Sequence, residues 1–530
     1  MPDGLKNIFL AMAVMCVAPP VAAQSFEPIE DLQWLAIESI VGPVIRSDSP
    51  HVEQVRDLTE RARELMLQGQ YGEARRLNSQ ARALLHGTEW DADTEFLASL
   101  ALRPSRVAVD AESGLVLAIG QHYASSAPAS DFRNVRLRLA ARPLDRPSAT
   151  VVSLGEIQLP TPDLIEQPAY TRIDTKSLSD GSWRLEVQIT GTGRDIAGKA
   201  STRIHVARDL DADLEKLRNG VARLQVRPSL AASIAYPVNL TETLDLRTRR
   251  VVDVDLRAEL DAALALLEEA SNGKDPLWQA RGLTDRHYRS HVSERIEPYS
   301  LFVPYDWDGE TTMPLVVMLH GSMGDERSAF AGGELEKLAA ERGMAVLSPM
   351  GDDPNSVWGN RLPVVLGDGT LPSPRPVISG GRVQPVEQLE LEPAEADVAA
   401  TLQLVRSEYP IDAGRIYLAG NSMGGEGTWH LAALWPGIWA AIAPGAGPIA
   451  PDLMDYAILS QVPTLIVHGR RDPITSFEAS GRIANRLRDA GGEVELLAPE
   501  AGHDAFERSL AQVLDFLLSH TKDHARGPGE

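Results

Sequence analysis

The residues best suited to chemistry cluster around position 422. The run Arg415-Ile-Tyr-Leu-Ala-Gly420-Asn-Ser422-Met-Gly424-Gly425 sets Ser422 within Gly-x-Ser-x-Gly, directly after an apolar strand pattern and directly before a helical one. Such a turn crowds the residues two before and two after the serine, and glycine relieves the crowding. A serine hydroxyl is a weak nucleophile until a neighbouring base takes its proton, and that base must itself be oriented. Two later apolar runs end in loops that carry the required groups. Pro463-Thr-Leu-Ile-Val-His468 leads into Gly469-Arg-Arg-Asp472, and Val494-Glu-Leu-Leu497 is followed by Gly502-His503-Asp504. Ser422 as nucleophile, His503 as base and Asp472 as the orienting carboxylate is the assignment these residues support, for attack on a carbonyl carbon.

Each partner has a competitor. His468 is near Asp472 but reads as the cap of its strand, and Asp504 adjoins His503 in a position that points away from it. His430 lies eight residues after Ser422 on the following helix and reads as a packing residue. The reaction also needs N–H donors for a developing oxyanion. One is the backbone of Met423, and the other is expected from Ser322, in His320-Gly321-Ser322 after the apolar run Leu315–Leu319. The alternative there is a glycine-rich turn without function. Trp358 sits in a Gly/Pro-rich stretch, residues 351–394, and connections of that length often line binding sites. Its ring either faces substrate or anchors the loop to the core, and the sequence leaves both open.

These groups need a scaffold. Residues 295–522 alternate strand and helix patterns, which predicts a mostly parallel sheet covered on both faces. Strands are expected at 299–303, 315–319, 344–348, 415–418, 440–443, 464–467 and 494–497. Ser422, Asp472 and His503 then follow three successive carboxyl-terminal strand ends, where open α/β sheets bind their ligands. Upstream, 24–99 is a helical segment whose core is a hairpin at 52–86, and 100–207 has the short alternating runs of an immunoglobulin-like β-sandwich. Residues 208–294 read as a helical connector. Its Asp209-x-Asp211-x-Asp213 string is not a calcium loop, because Leu214 stands where glycine is needed and Gly220 where a bidentate glutamate is needed. It reads as an acidic helix start.

At 530 residues the chain is long enough for two or three domains, and a net charge of -23 argues against nucleic-acid or anionic-membrane partners. Lys6, the apolar run Ile8–Ala18 and the small residues Val21-Ala22-Ala23 form the pattern of an export signal, residues 1–23, with mature protein beginning at Gln24 in the periplasm or medium. The apolar run is too short to span a bilayer, so no membrane insertion is expected. Cys16, the only cysteine, lies inside that signal, so the exported chain would have no disulfide, no thiolate zinc site and no thiol nucleophile. The tail, 523–530, is polar and expected to be disordered.

From about 297 to 520 the chain resembles the esterase branch of the α/β-hydrolases, namely polyhydroxybutyrate-depolymerase and feruloyl-esterase-like proteins, and peptidases related to prolyl oligopeptidase. The likeness rests on Tyr299-Ser-Leu-Phe-Val-Pro304, Leu315–Gly321, Asp397, Tyr409-Pro-Ile-Asp412, Arg415–Leu418, Ser422–Gly425, Gly427-Thr-Trp429 and Ala440–Pro444. It implies an α/β-hydrolase fold after the helical hairpin and β-sandwich-like domain, with Ser422, Asp472 and His503 as triad and Ser322 and Met423 at the oxyanion hole. The implied activity is hydrolysis of a small-molecule or polysaccharide-linked carboxylic ester, with no metal or organic cofactor. Asn421 departs from the pattern, since many relatives have histidine before the nucleophile. Two rival readings remain. One is a serine peptidase with the same triad, although the upstream region lacks the blade repeats of a propeller. The other is a non-catalytic binding protein, against which an intact triad stands.

Overall fold

The computed structural model describes residues 50–125, 135–144, 150–190, 200–246, 255–352, 356–371, 376–379, 382–385 and 392–522. The export-signal segment and the C-terminal tail lie outside the described residues. Helices α1 (Val52–Leu67) and α2 (Tyr71–Leu85) pack through Ala62, Met66, Ala74 and Leu77. Gly69, at φ 73°, makes the turn between them. Helix α3 (Ala92–Ser99) starts at Asp91, whose carboxylate accepts from Thr94 N–H at 2.9 Å, and runs straight into the first strand.

Eight strands follow: β1 (Leu100–Pro104), β2 (Ala108–Asp110), β3 (Leu115–Gln121), β4 (Arg136–Pro143), β5 (Val152–Gln158), β6 (Ala169–Ile173), β7 (Gly181–Thr190) and β8 (Ala200–Ala207). They form two sheets, ordered β1-β3-β6 and β2-β8-β7-β4-β5. One apolar core lies between them, built from alternate residues such as Leu117 and Ile119 of β3 and Leu137 and Leu139 of β4. That alternation is what a sheet with one buried face requires.

Helices α4 (Leu210–Val221), α5 (Pro228–Leu246) and α6 (Leu256–Ser271) form a layer that touches both neighbours. Its core includes Ala108 and Ala207 of the sandwich, Leu214, Ile234 and Leu260 of the helices, and Ile296 of the strand beyond. The acidic start of α4 is held by ion pairs: Asp211 meets Arg106 at 3.1 Å and Asp213 meets Arg257 at 2.9 Å.

The remaining elements build one eight-stranded sheet. They are β9 (Gly282–Arg289), β10 (Ile296–Val303), β11 (Met313–Leu319), α7 (Glu334–Glu341), β12 (Ala345–Pro349), β13 (Pro376–Ser379), β14 (Arg382–Pro385), α8 (Glu392–Glu408), β15 (Ile411–Asn421), α9 (Met423–Leu434), β16 (Ala441–Gly445), β17 (Thr464–Val467), α10 (Phe477–Asp489), β18 (Val494–Leu497) and α11 (Leu510–Leu518). The sheet order is β18-β17-β16-β15-β11-β12-β10-β9, parallel except where β10 pairs antiparallel with β12 and β9. Strands β13 and β14 form a separate hairpin, against which α1 packs.

All seven residues of β11 are buried, as a central parallel strand demands. Leu315, Val317 and Leu319 join the core on one face, under α8, α9 and α10, whereas Val316 and Met318 join the other, under α7 and α11. Strand β15 repeats this division, with Ile416 and Leu418 on the first face and Tyr417 and Ala419 on the second.

One expectation needs correction. The sheet begins at Gly282, inside the segment 208–294 expected to be a mainly helical connector. Strand β9 is a polar edge strand, and its pattern Gly-Leu-Thr-Asp-Arg-His-Tyr-Arg lacks the apolar run that marks a central strand. Helix α5 covers it: Ser233 Oγ accepts from His287 N–H at 3.1 Å, and Tyr236 stacks on the His287 ring at 3.7 Å.

Candidate active site

Strand β15 passes into α9 through Ser422, whose φ of 58° and ψ of -120° are rare for a residue with a side chain. Backbone held in such a region costs about 1–3 kcal/mol and persists only where surroundings enforce it. The surroundings here are the end of β11 and the end of β16. A Cβ at Gly420 would lie 2.7 Å from both Gly424 O and Leu319 O, and one at Gly424 only 2.2 Å from Leu319 O. The two glycines of the motif are therefore required by backbone approach. Ser422 N–H donates to Gly445 O at 2.9 Å, which ties the turn to β16.

Asp472 follows β17 and has a fully buried side chain. Its Oδ1 accepts from the backbone N–H groups of Ile474 at 2.8 Å and Thr475 at 3.1 Å. Its Oδ2 lies 2.7 Å from His503 Nδ1. A carboxylate only accepts, so His503 carries its proton on Nδ1 and its lone pair on Nε2, the atom a general base uses. Burial by itself pushes the Asp472 carboxyl up. Hydrogen bonds from His468, His503 and the Ile474 backbone outweigh burial and hold it far below the usual carboxylate range.

Ser422 and His503 are joined through Asn421. Its Nδ2 donates to His503 O at 3.1 Å and to Glu507 Oε1 at 2.9 Å, which fastens the turn before α9 to the loop after β18. On the other side, a Cβ at Gly321 would lie 3.6 Å from Ser422 Cβ, so the turn after β11 lies against the serine. That turn closes through Gly324 N–H to Gly321 O at 3.0 Å, not through Ser322 N–H, and Ser322 is exposed. Met423 opens α9, and the first N–H groups of a helix have no acceptor within it.

Trp358 is not a substrate-facing residue. It is 0% exposed, its Nε1 donates to His320 O at 3.1 Å, and its ring lies 4.8 Å from the His320 ring. Gly427 of α9 makes room for it, since a Cβ there would sit 2.4 Å from Trp358 Cβ. Of the two roles open in the sequence, the anchor is the one observed. His320 in turn bridges Gly321 O and Met350 O, each at 2.9 Å, so the indole and imidazole together brace the turn that carries Ser322.

The competing histidines and carboxylate have other partners or another place in the site. His430 Nε2 lies 2.7 Å from Glu395 Oε1 of α8. Asp504 pairs with Arg508 at 2.6 Å, not with His503. His468 is fully buried and lies 3.2 Å from Asp472 Oδ2. The sequence singles out Asn421, His320 and His468 but not their contacts; of these, only the His468–Asp472 approach has a trace in spacing, His468-x-x-x-Asp472.

No family model matches the chain. It is 27% identical, over 178 residues, to the bifunctional acetylxylan esterase/xylanase XynS20E of Neocallimastix patriciarum. That match takes in 33% of this chain and spans only 22% of the length of that protein. Among solved structures, it is similar to a thermostable esterase at 16% identity and a TM-score of 0.35, covering 80% of this chain and 100% of the other. It is also similar to the S954A mutant of the feruloyl esterase module from Clostridium thermocellum, complexed with sinapinate, at 13% identity and a TM-score of 0.33. That likeness covers 47% of this chain and 92% of the module.

Proposed function

We propose that this protein is an exported serine hydrolase of the α/β-hydrolase fold that cleaves carboxylic esters through an acyl-enzyme. The observation that carries the reading is the 2.7 Å contact between His503 Nδ1 and buried Asp472, held by Asn421 beside a serine in a strained strand–helix turn. Ser422 Oγ attacks the carbonyl carbon as His503 Nε2 takes its proton, and Asp472 stabilises the imidazolium that forms. The N–H groups of Met423 and Ser322 receive the oxyanion. His503 then protonates the leaving alcohol, and water repeats the sequence in reverse to release the acid. Every role is filled by the chain itself, so the reaction as written calls on no metal or organic cofactor.

Ester cleavage is favoured over peptide cleavage because an alkoxide leaves more readily than an amine and asks less of His503 as acid. The segment similar to an acetylxylan esterase/xylanase supports the same choice, and a polysaccharide-linked acyl group is the substrate class we favour. The rival peptidase related to prolyl oligopeptidase would have a propeller upstream, where this chain has a two-sheet domain. Among the described residues no helix is long and apolar enough to cross a membrane.

A panel of aryl esters, acetylated and feruloylated oligosaccharides and chromogenic peptides tests this. Ester turnover well above peptide turnover is expected, with Ser422→Ala losing about 10³-fold or more in kcat while remaining folded. Full turnover by folded Ser422→Ala, or peptides cleaved as well as esters, would refute the assignment.

A further inference from the structure

We infer that His468 is a positioning residue for the proposed hydrolysis, a second and fully buried imidazole whose Nε2 faces the same Asp472 oxygen that His503 contacts. The inference rests on the triad reading above and adds a group that reading does not use. His468 directly follows β17, and its Nε2 lies 3.2 Å from Asp472 Oδ2 and 3.3 Å from Thr475 O. Thr475 Oγ1 also lies 3.4 Å from Nε2, but Ala446 O at 2.9 Å and Asp472 Oδ2 at 3.1 Å are the nearer acceptors of its single proton. The other two oxygens only accept, so Nε2 carries the proton. A neutral imidazole then has its lone pair on Nδ1, and Ser480 Oγ of α10 lies 2.7 Å from that atom with a hydrogen to give. Ser480 is 3% exposed and His468 is 0% exposed, so water does not compete for either contact.

The result is a directed chain, Ser480 to His468 to Asp472, that meets His503 at one carboxylate oxygen. A simple strand cap would need only the contact with Thr475. The extra donor does two things. Together with the Ile474 and Thr475 N–H groups on Oδ1 it fixes the plane of the Asp472 carboxylate, and it draws negative charge away from the side that faces His503. Without it, Asp472 would pull harder on His503 and favour the imidazolium, which is useless as a base. The other charged groups around the cluster are Asp504 paired with Arg508, Glu507 held by Asn421, Arg470 over the Phe477 ring, and Arg471 near Glu500. None of them is altered by changing His468 or Ser480.

The test is the pH profile of kcat and kcat/KM on one aryl ester for the full chain and for His468→Leu, His468→Gln and Ser480→Ala. A fluorophosphonate titration counts competent Ser422 in each. Expected for His468→Leu is a loss of about 10- to 100-fold in kcat per labelled site, KM within about twofold, and an acidic limb moved up by about half to one pH unit. Gln places an amide donor near the position of Nε2 and restores the limb. Ser480→Ala, which removes only the donor to Nδ1, moves the limb in the same direction by less, and serves if His468→Leu does not fold. Variants with the wild-type limb and wild-type kcat per labelled site, changed only in Tm, overturn the inference. A wild-type protein that the probe does not label at Ser422 overturns the triad reading itself, which separates the two failures.

Discussion

Asp397 shows how one buried group can shape the behaviour of the whole protein. It is 2% exposed, accepts from Tyr288 Oη and from Gly351 N–H, and links α8 to β9 and to the loop after β12. Burial pushes its carboxyl up from 3.8 to about 7, against the opposing effect of those two donors. A carboxyl with a raised folded value binds its proton more tightly when folded. Its stabilising effect is therefore complete at acid pH and is lost as pH rises toward 7, by at most about 4 kcal/mol. Asp397→Asn, which cannot ionise, should show a flatter Tm between pH 5 and 8 than the wild type. An identical pH slope in both proteins would remove Asp397 from this role. Trp358 makes a second case at this scale. Trp358→Ala should cost about 3–5 kcal/mol in stability. Its kinetic effect should fall on kcat, because the indole braces the Ser322 turn. A pure rise in KM with unchanged Tm would instead return the ring to the substrate pocket.

At the scale of elements, the turn after β11 is braced from outside the sheet as well. Arg327 Nη2 lies 2.7 Å from Glu259 of α6 and 3.2 Å from Asp285 of β9. The helical layer thereby holds the segment that carries Ser322. Burial opposes the Arg327 charge, but Asp285, Glu259 and Glu326 raise its affinity for the proton further than burial lowers it. Loss of one anchor should loosen the turn without unfolding the layer. Glu259→Gln is expected to lower kcat by about 3- to 10-fold, since small misplacements of oxyanion donors are costly. Steady-state kinetics beside thermal melts check this, and a fall in Tm with unchanged kcat would make the clamp structural only.

At the scale of the whole molecule, the α4–α6 layer has no independent inner face. Its apolar core is completed by Ala108 and Ala207 on one side and Ile296 on the other, and it covers β9 at the sheet edge. A chain starting at 282 would expose that edge and Ile296 of β10, and exposed sheet edges recruit other chains. Such a truncation should aggregate or bind a hydrophobic dye strongly, whereas the full chain should not. A monomeric, active fragment would show that the layer is dispensable.

Much of the α/β unit is legible along the chain because its signals are local. A run buried on both faces, such as Leu315–Leu319, marks a central parallel strand, and Gly420-x-Ser422-x-Gly424 marks a turn that only glycine relieves. The positions of Ser422, Asp472 and His503 after the ends of β15, β17 and β18 follow from the same local pattern. Strand β9 was illegible because an edge strand covered by a helix has no apolar run to announce it. The burial of Trp358, the Asn421 bridge and the Ser480 hydroxyl behind His468 depend on residues 12 to 82 positions apart meeting in space, as Ser480 meets His468 and His503 meets Asn421. The sequence by itself determined which groups stand at the strand ends. Only the tertiary structure decided which of them touch, because strand order and helix packing, not spacing along the chain, set those distances.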